Sequence, residues 1–320
     1  MRAVRMRTKP LLLLLSLLLL APVGAQGQGR GRDDDKRRGV RSVTIPVTVH
    51  LPKEREPQEM RSIDVLTVFE DGEQQEILTV RGVAQSPLTL AVLIQDDLTF
   101  SVGGEVRGIA DFVRHLPAGS RVMVGYLRAG SLQVRQKFTP DLERAAKSLR
   151  IPIGSTSGTP YNPYTLLRDA IKRFEGQPVG RRAVLMVSDG LDLSHGFSSS
   201  TPSQSLDLQR AIDEAQRKGV AVYSIYSPTV GGTGEGGSAL VGNGQGSLNR
   251  LAEETGGHAF FQGTSAPVSF KPFLRDLGAM LSRQVALTYL STHTDKGFHR
   301  LKVESDMTEG SIRYPNGYPR

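Results

Sequence analysis

Residues 88–94 read LTLAVLI, and the seven that follow read QDDLTFS, from Gln95 to Ser101. An apolar run without polar alternation suits a strand whose sheet is covered on both faces, as parallel strands between helical layers are. Val106, Ile109, Ala110, Val113 and Leu116 then fall at helical spacing, and Pro117 ends the pattern. The same texture recurs downstream. Strands are expected at 121–127, 183–187, 220–226 and 258–262, and helices at 141–149, 165–174, 206–218, 247–255 and 270–283. The helix at 247–255 closes on Gly256-Gly257, a left-handed stop signal. Residues 132–138 form a further strand across an Ala129-Gly130 turn, antiparallel at the sheet edge. Such alternation predicts an α/β fold, a doubly wound and mostly parallel sheet with helices on both faces.

Both flanks of this region read as β structure. Residues 43–49 (VTIPVTV) form a strand in which Pro46 cannot donate to a ladder, which places it at an edge. Residues 64–70 and 75–80 are joined by Asp71-Gly72, a two-residue hairpin signal. Strand texture returns at 285–291, 298–304 and 311–314. The expectation is a small β module built from both chain ends, with segments 43–86 and 285–320 flanking a domain at 87–284. The glycine-dense stretch 231–246 (GGTGEGGSALVGNGQG) lacks the lysine and hydroxyl residue that end a phosphate-binding loop. It reads as a surface loop.

The N-terminus reads as an export leader over residues 1–25. Arg2, Arg5, Arg7 and Lys9 precede an apolar core at 11–20, and Val23-Gly24-Ala25 supplies small residues at cleavage spacing. That core is too short for a mature bilayer span of about 20 residues, and no later run is long enough, so no mature transmembrane segment is expected. The product is expected to be periplasmic or secreted. The chain has no cysteine, which excludes disulfides, thiol nucleophiles and cysteine metal sites. Of the formal charge of +8, four positive charges lie in the leader, and residues 26–42 add six Arg or Lys against Asp33, Asp34 and Asp35. The remainder is nearly neutral, so no nucleic-acid footprint is expected, and 26–42 reads as a basic flexible linker.

Ligands of doubly wound sheets sit at the carboxyl ends of the strands, near the point where strand order reverses. The loops there hold hard oxygen donors: Gln95, Asp96, Asp97, Thr99 and Ser101 after the first strand, Thr165 at a helix start, and Asp189 and Asp192 after the strand at 183–187. Such donors suit magnesium, manganese or calcium.

At these residues the chain resembles the von Willebrand factor A family, and within it the exported bacterial branch described as acidobacterial-type. The resemblance runs from about Val43 to the C-terminus. It is carried by Phe69-Glu70-Asp71-Gly72, Thr165-Leu166-Leu167-Arg168-Asp169-Ala170, Ser188-Asp189-Gly190, Val222-Tyr223-Ser224-Ile225-Tyr226, Leu251-Ala252-Glu253-Glu254-Thr255-Gly256-Gly257 and Gly317-Tyr318. The resemblance implies a metal-ion-dependent adhesion site, in which an aspartate-x-serine-x-serine loop, a threonine and a second aspartate surround Mg2+ or Mn2+, or else Ca2+. One coordination position stays open for an acidic side chain of a protein ligand.

Two frames fit that loop. In the first, Asp97, Thr99 and Ser101 are the loop ligands, joined by Thr165 (with Thr159 as the fallback) and Asp189. This frame adds two polar residues at the strand end, in the manner of a bulge. In the second, the loop begins at Gln95 and continues with Asp97 and Thr99, so the leading carboxylate is replaced by an amide. The same residues have ordinary uses too. Asp97 or Ser101 can cap the helix that follows, Thr165 its own helix, and Asp189-Gly190 can be a tight turn.

Three functions compete. The first is a non-enzymatic binding module that takes a protein ligand through the metal. The second is a metal-independent scaffold with a degenerate site. The third is a metal-dependent hydrolase or phosphatase, disfavoured because Gln95 stands where an aspartate nucleophile is required. No glycine-x-serine-x-glycine elbow is present, and His195 near the crevice is a lone loop histidine.

Overall fold

The computed structural model describes residues 40–50, 66–98, 101–154, 162–229, 237–305 and 311–320, which belong to one compact unit. The apolar run forms β4 (Thr89–Gln95), every residue of which is buried. Its neighbours are β5 (Arg121–Arg128) and β7 (Arg182–Ser188); β8 (Val220–Tyr226) follows β7, with β6 (Ser131–Thr139) and β9 (His258–Phe260) at the edges. The order is β6-β5-β4-β7-β8-β9. All pairings are parallel except β5 with β6. Ala129 and Gly130 turn that hairpin with φ of 44° and 75°.

Period-two alternation splits the core between the two faces. Leu90, Val92 and Ile94 pack beneath α1 (Ser101–Arg114), α2 (Leu142–Lys147) and α6 (Lys271–Ser282). Ala91 and Leu93 pack beneath α3 (Pro163–Lys172) and α4 (Leu206–Arg217). Two helices of the second face, α3 and α4, begin at side-chain caps: Asn162 accepts from the Tyr164 and Thr165 N–H groups, and Ser205 from that of Leu208.

One expectation is corrected. The stretch read as a surface loop is helical from residue 237, as the start of α5 (Gly237–Glu254); residues 231–236 lie outside the described residues. Its glycines oppose a helix by local propensity, but they allow backbone contacts that a side chain would block. A Cβ on Gly246 would lie 3.0 Å from Pro202, and one on Gly244 only 2.1 Å from the Asp189 carbonyl oxygen.

The two chain ends form a second sheet. It is antiparallel throughout, in the order β12-β1-β10-β3-β2-β11-β13. The strands are β1 (Arg41–His50), β2 (Leu66–Glu70), β3 (Glu73–Arg81), β10 (Gln284–Ser291), β11 (Phe298–Ser305), β12 (Ser311–Arg313) and β13 (Gly317–Pro319). With seven strands it is larger than a small module, and β13 was not anticipated. Asp71 and Gly72, with φ of 49° and 87°, make the two-residue hairpin turn. The strand holding Pro46 is not an edge strand but the second of the sheet; among the described residues β12 pairs with it only at Thr48–His50, and Pro46 is paired with Ala286 of β10.

This sheet abuts the amino ends of the parallel strands. Arg81 of β3 donates to the Val179 carbonyl ahead of β7 at 3.0 Å, and a Cβ on Gly219, ahead of β8, would meet the Thr44 carbonyl oxygen of β1 at 2.5 Å. No described helix is long and apolar enough to cross a membrane.

Candidate functional site

The crossover after β4 runs over one face of the parallel sheet and that after β7 over the other, so the crevice between their carboxyl ends is the topological switch point. Gln95 is the last paired residue of β4, opposite Leu127, and the pairing has no bulge. Its buried Oε1 accepts hydrogen bonds from Ser188 Oγ at 2.6 Å and from the Asp189 N–H at 3.1 Å.

Asp96 is committed elsewhere. Its carboxylate accepts two hydrogen bonds from Arg150, at 2.6 and 2.8 Å, and one from the Ile153 N–H at 3.1 Å. The Arg150 guanidinium also lies 4.0 Å from the Tyr126 ring centroid. Asp97 lies beside the Gln95 amide again. Its Oδ1 is buried without a hydrogen-bond partner. Burial first, and then the Asp96 charge, push its carboxyl above the usual range, against the Gln95 amide.

Asp189 is buried after β7. Its Oδ1 accepts from the Leu191 N–H at 3.0 Å, and its Oδ2 from Thr229 Oγ1 at 2.7 Å. Burial and the charge of Asp97 outweigh these bonds and push its carboxyl up to about 6. Backbone packing fixes the loop. Gly190 has φ +70° and its added Cβ would lie 2.4 Å from the Gly244 carbonyl oxygen of α5, while Tyr164 Oη donates to the Gly190 carbonyl at 2.5 Å.

The other expected donors are distributed as follows. Thr165 does not turn its hydroxyl to Asp189; it donates to the Asn162 carbonyl at 3.1 Å within the first turn of α3. Asp192 organises its own loop, accepting from Ser194 Oγ at 2.5 Å and Ser205 Oγ at 3.0 Å. Ser205 thereby ties that loop to the start of α4. Thr99 and Thr159 lie outside the described residues, as does the side chain of Ser101, the first residue of α1. His195 is exposed and pairs with Ser194 Oγ at 3.0 Å. Thr229 was not foreseen. It follows β8, the next strand along, and a search of every carboxyl-end loop would have reached it.

The described residues hold no group of three or more His, Asp or Glu with metal-holding geometry. The crevice instead joins two carboxylates to amide and hydroxyl groups. This set fits a hard divalent cation, because the unpartnered Asp97 Oδ1 and the mutual opposition of Asp97 and Asp189 are what a cation relieves. Without metal, the raised Asp189 pKa means the folded state binds more protons than the unfolded one between about pH 4 and 6. Chelator-treated protein is therefore expected to lose stability as the pH rises through that window. Asp189→Asn should flatten the loss, as urea midpoints measured at several pH values would show.

No family model matches the chain, and no curated protein does. Among solved structures, it is similar to a von Willebrand factor type A protein from Catenulispora acidiphila, at 10% identity and a TM-score of 0.45, over 85% of this chain and 71% of that one. It is also similar to an aerotolerance-related membrane protein from Bacteroides fragilis, at 13% identity and a TM-score of 0.41, over 61% of this chain and 98% of that one. The VWA domain of SpRpn10 aligns at 14% identity and a TM-score of 0.37, over 60% and 93% of the two chains. Likeness at this level carries nothing about activity, and the α/β architecture rests on the strand order described above.

Proposed function

We propose that this chain is an exported, von Willebrand factor A-type binding module that engages an acidic side chain of a protein partner through a divalent cation at the β4–β7 crevice. The observation that carries the reading is the pairing of Asp97, with a buried and unpartnered oxygen, and Asp189 at the switch point. Asp97 and Asp189 would hold Mg2+ or Mn2+, with Thr229 and Gln95 positioning Asp189. The cation would supply positive charge and an open position for the partner's carboxylate. The loop frame that begins at Gln95 is favoured, because β4 pairs through Gln95 without the bulge that the other frame needs. Thr99 is then the next loop donor.

The role proposed is binding and not turnover. Acetate serves as the simplest carboxylate probe. In the presence of Mn2+ and the protein, acetate methyl relaxation is expected to increase beyond that with free Mn2+, and Asp189→Asn should abolish the excess. Relaxation equal to that of free Mn2+ at saturating protein would contradict an open coordination position.

A metal-independent scaffold is the second reading. It is supported by the Gln95 amide, which stands in place of a carboxylate and already bonds Ser188 and Asp189.

A further inference from the structure

Two sequence landmarks that the crevice does not use meet in the second sheet. Glu70, from Phe69-Glu70-Asp71-Gly72, is fully buried, and its Oε1 accepts from Tyr318 Oη at 2.8 Å and from Ser291 Oγ at 3.0 Å. Tyr318 is the middle residue of β13, whose three residues pair, among the described residues, with β11 alone. Its cross-strand partner is His299.

The buried His299 ring is held between two acceptors. Nδ1 lies 2.8 Å from Asp71 Oδ2, and Nε2 lies 3.0 Å from the Asp295 carbonyl oxygen. A neutral imidazole has one N–H and can satisfy only one of them, so the geometry requires the imidazolium. That charge sits 3.7 Å from Glu70 Oε1, whose other oxygen has no hydrogen-bond partner. Asp71 is fixed in turn, because its Oδ1 accepts the Arg300 N–H at 2.8 Å.

We propose that His299, Asp71, Glu70 and Tyr318 form a pH-sensitive latch that holds the C-terminal strand β13 on the second sheet at mildly acidic pH and loosens it as the pH rises past neutrality. Loss of one His299 proton removes a hydrogen bond and strips the buried Glu70 carboxylate of its nearest compensating charge. Other groups face the cluster as well. His293 Nδ1 lies 3.8 Å from Glu70 Oε1, and its Nε2 lies 3.7 Å from Glu73 Oε2. The Tyr289 hydroxyl faces Glu70 from β10, and the Arg41 guanidinium lies 5.5 Å from the Tyr318 ring centroid.

The electrostatics agree in direction. Burial opposes the imidazolium, but bonds to Asp71 and the Asp295 carbonyl, with the charges of Asp71 and Glu70, raise its pKa above the ordinary value. Burial likewise works to raise Asp71, and the His299 and Arg300 bonds outweigh it and lower its pKa. A raised histidine pKa stabilises the fold fully below the unfolded value of about 6.5, and that contribution is lost as the pH rises through the folded value.

Hydrogen exchange of the full chain, corrected for intrinsic rates, tests this between pH 5.5 and 8.5. Protection of peptides from 298–305 and 311–320 is expected to fall by up to about tenfold per pH unit above about pH 6.5, while peptides from β4 and β7 stay protected. His299→Gln, which cannot become an imidazolium, should remove the slope. If that variant does not fold, Tyr318→Phe should loosen β13 at every pH and keep the slope. Protection independent of pH in the wild type, a slope that survives His299→Gln, or equal loss in β4 and β7 would each overturn the latch.

Discussion

Gly244→Ala is expected to destabilise the chain by about 3 kcal/mol or to displace the Asp189 loop, although helix propensity alone favours alanine by about 1 kcal/mol. The two effects have opposite signs, so the outcome is decisive. The added methyl would lie 2.1 Å from the Asp189 carbonyl oxygen and 3.5 Å from Leu191. Backbone at that distance cannot move aside cheaply, because Gly190 on the other side of the contact is held by Tyr164 and packed against the Gly244 carbonyl. Urea denaturation of the wild type and the variant gives the number. Gly242→Ala in the same helix, where an added Cβ meets nothing within 4 Å, should be neutral or stabilising. If Gly244→Ala were also stabilising, the account of how α5 seats the Asp189 loop would be wrong.

Arg150→Met should cost about 3–5 kcal/mol, because it leaves the Asp96 carboxylate buried and nearly unpaired. The Asp96 side chain is 1% exposed, and its next cation, Arg128, is 3.7 Å away. Asp96→Asn should cost less. Arg150 is a quarter exposed, so water can take up the freed guanidinium donors, and its stacking on Tyr126 survives. Thermal unfolding of the two single variants measures the asymmetry. Equal losses, or a larger loss for Asp96→Asn, would show that Asp96 is not the desolvated partner and reopen its place among the crevice donors.

These two cases mark what the sequence could and could not reveal. β4 was legible because seven consecutive residues buried on both faces leave few alternatives to a central parallel strand. The β2–β3 hairpin was legible because Asp71-Gly72 supplies the backbone conformation its turn requires. The start of α5 was not, because Gly237, Gly242, Gly244 and Gly246 argue locally against a helix, and the close contacts that Gly244 and Gly246 allow are made with loops distant in sequence. The site was legible as a place more than as a set of side chains. Asp97 and Asp189 follow from the carboxyl-end rule. Which of Asp96 and Asp97 joins Gln95 depends on where β4 stops pairing, and the composition of the loop does not contain that information. Thr165, expected as the middle ligand, bonds the Asn162 carbonyl of its own helix start, whereas Thr229 approaches Asp189 from the loop after β8.

The central claim is that Asp97 and Asp189 together hold a divalent cation, and calorimetric titration of the chelator-treated full chain with Mn2+ and Mg2+ at pH 7.5 tests it most directly. The account predicts saturable binding at one site, weakened at least about tenfold by Asp97→Asn and by Asp189→Asn, since each removes one of the two carboxylates. The binding should also weaken as the pH falls below about 6, where Asp189 takes up its proton. A flat titration of folded wild-type protein, or binding that both variants retain, would contradict it.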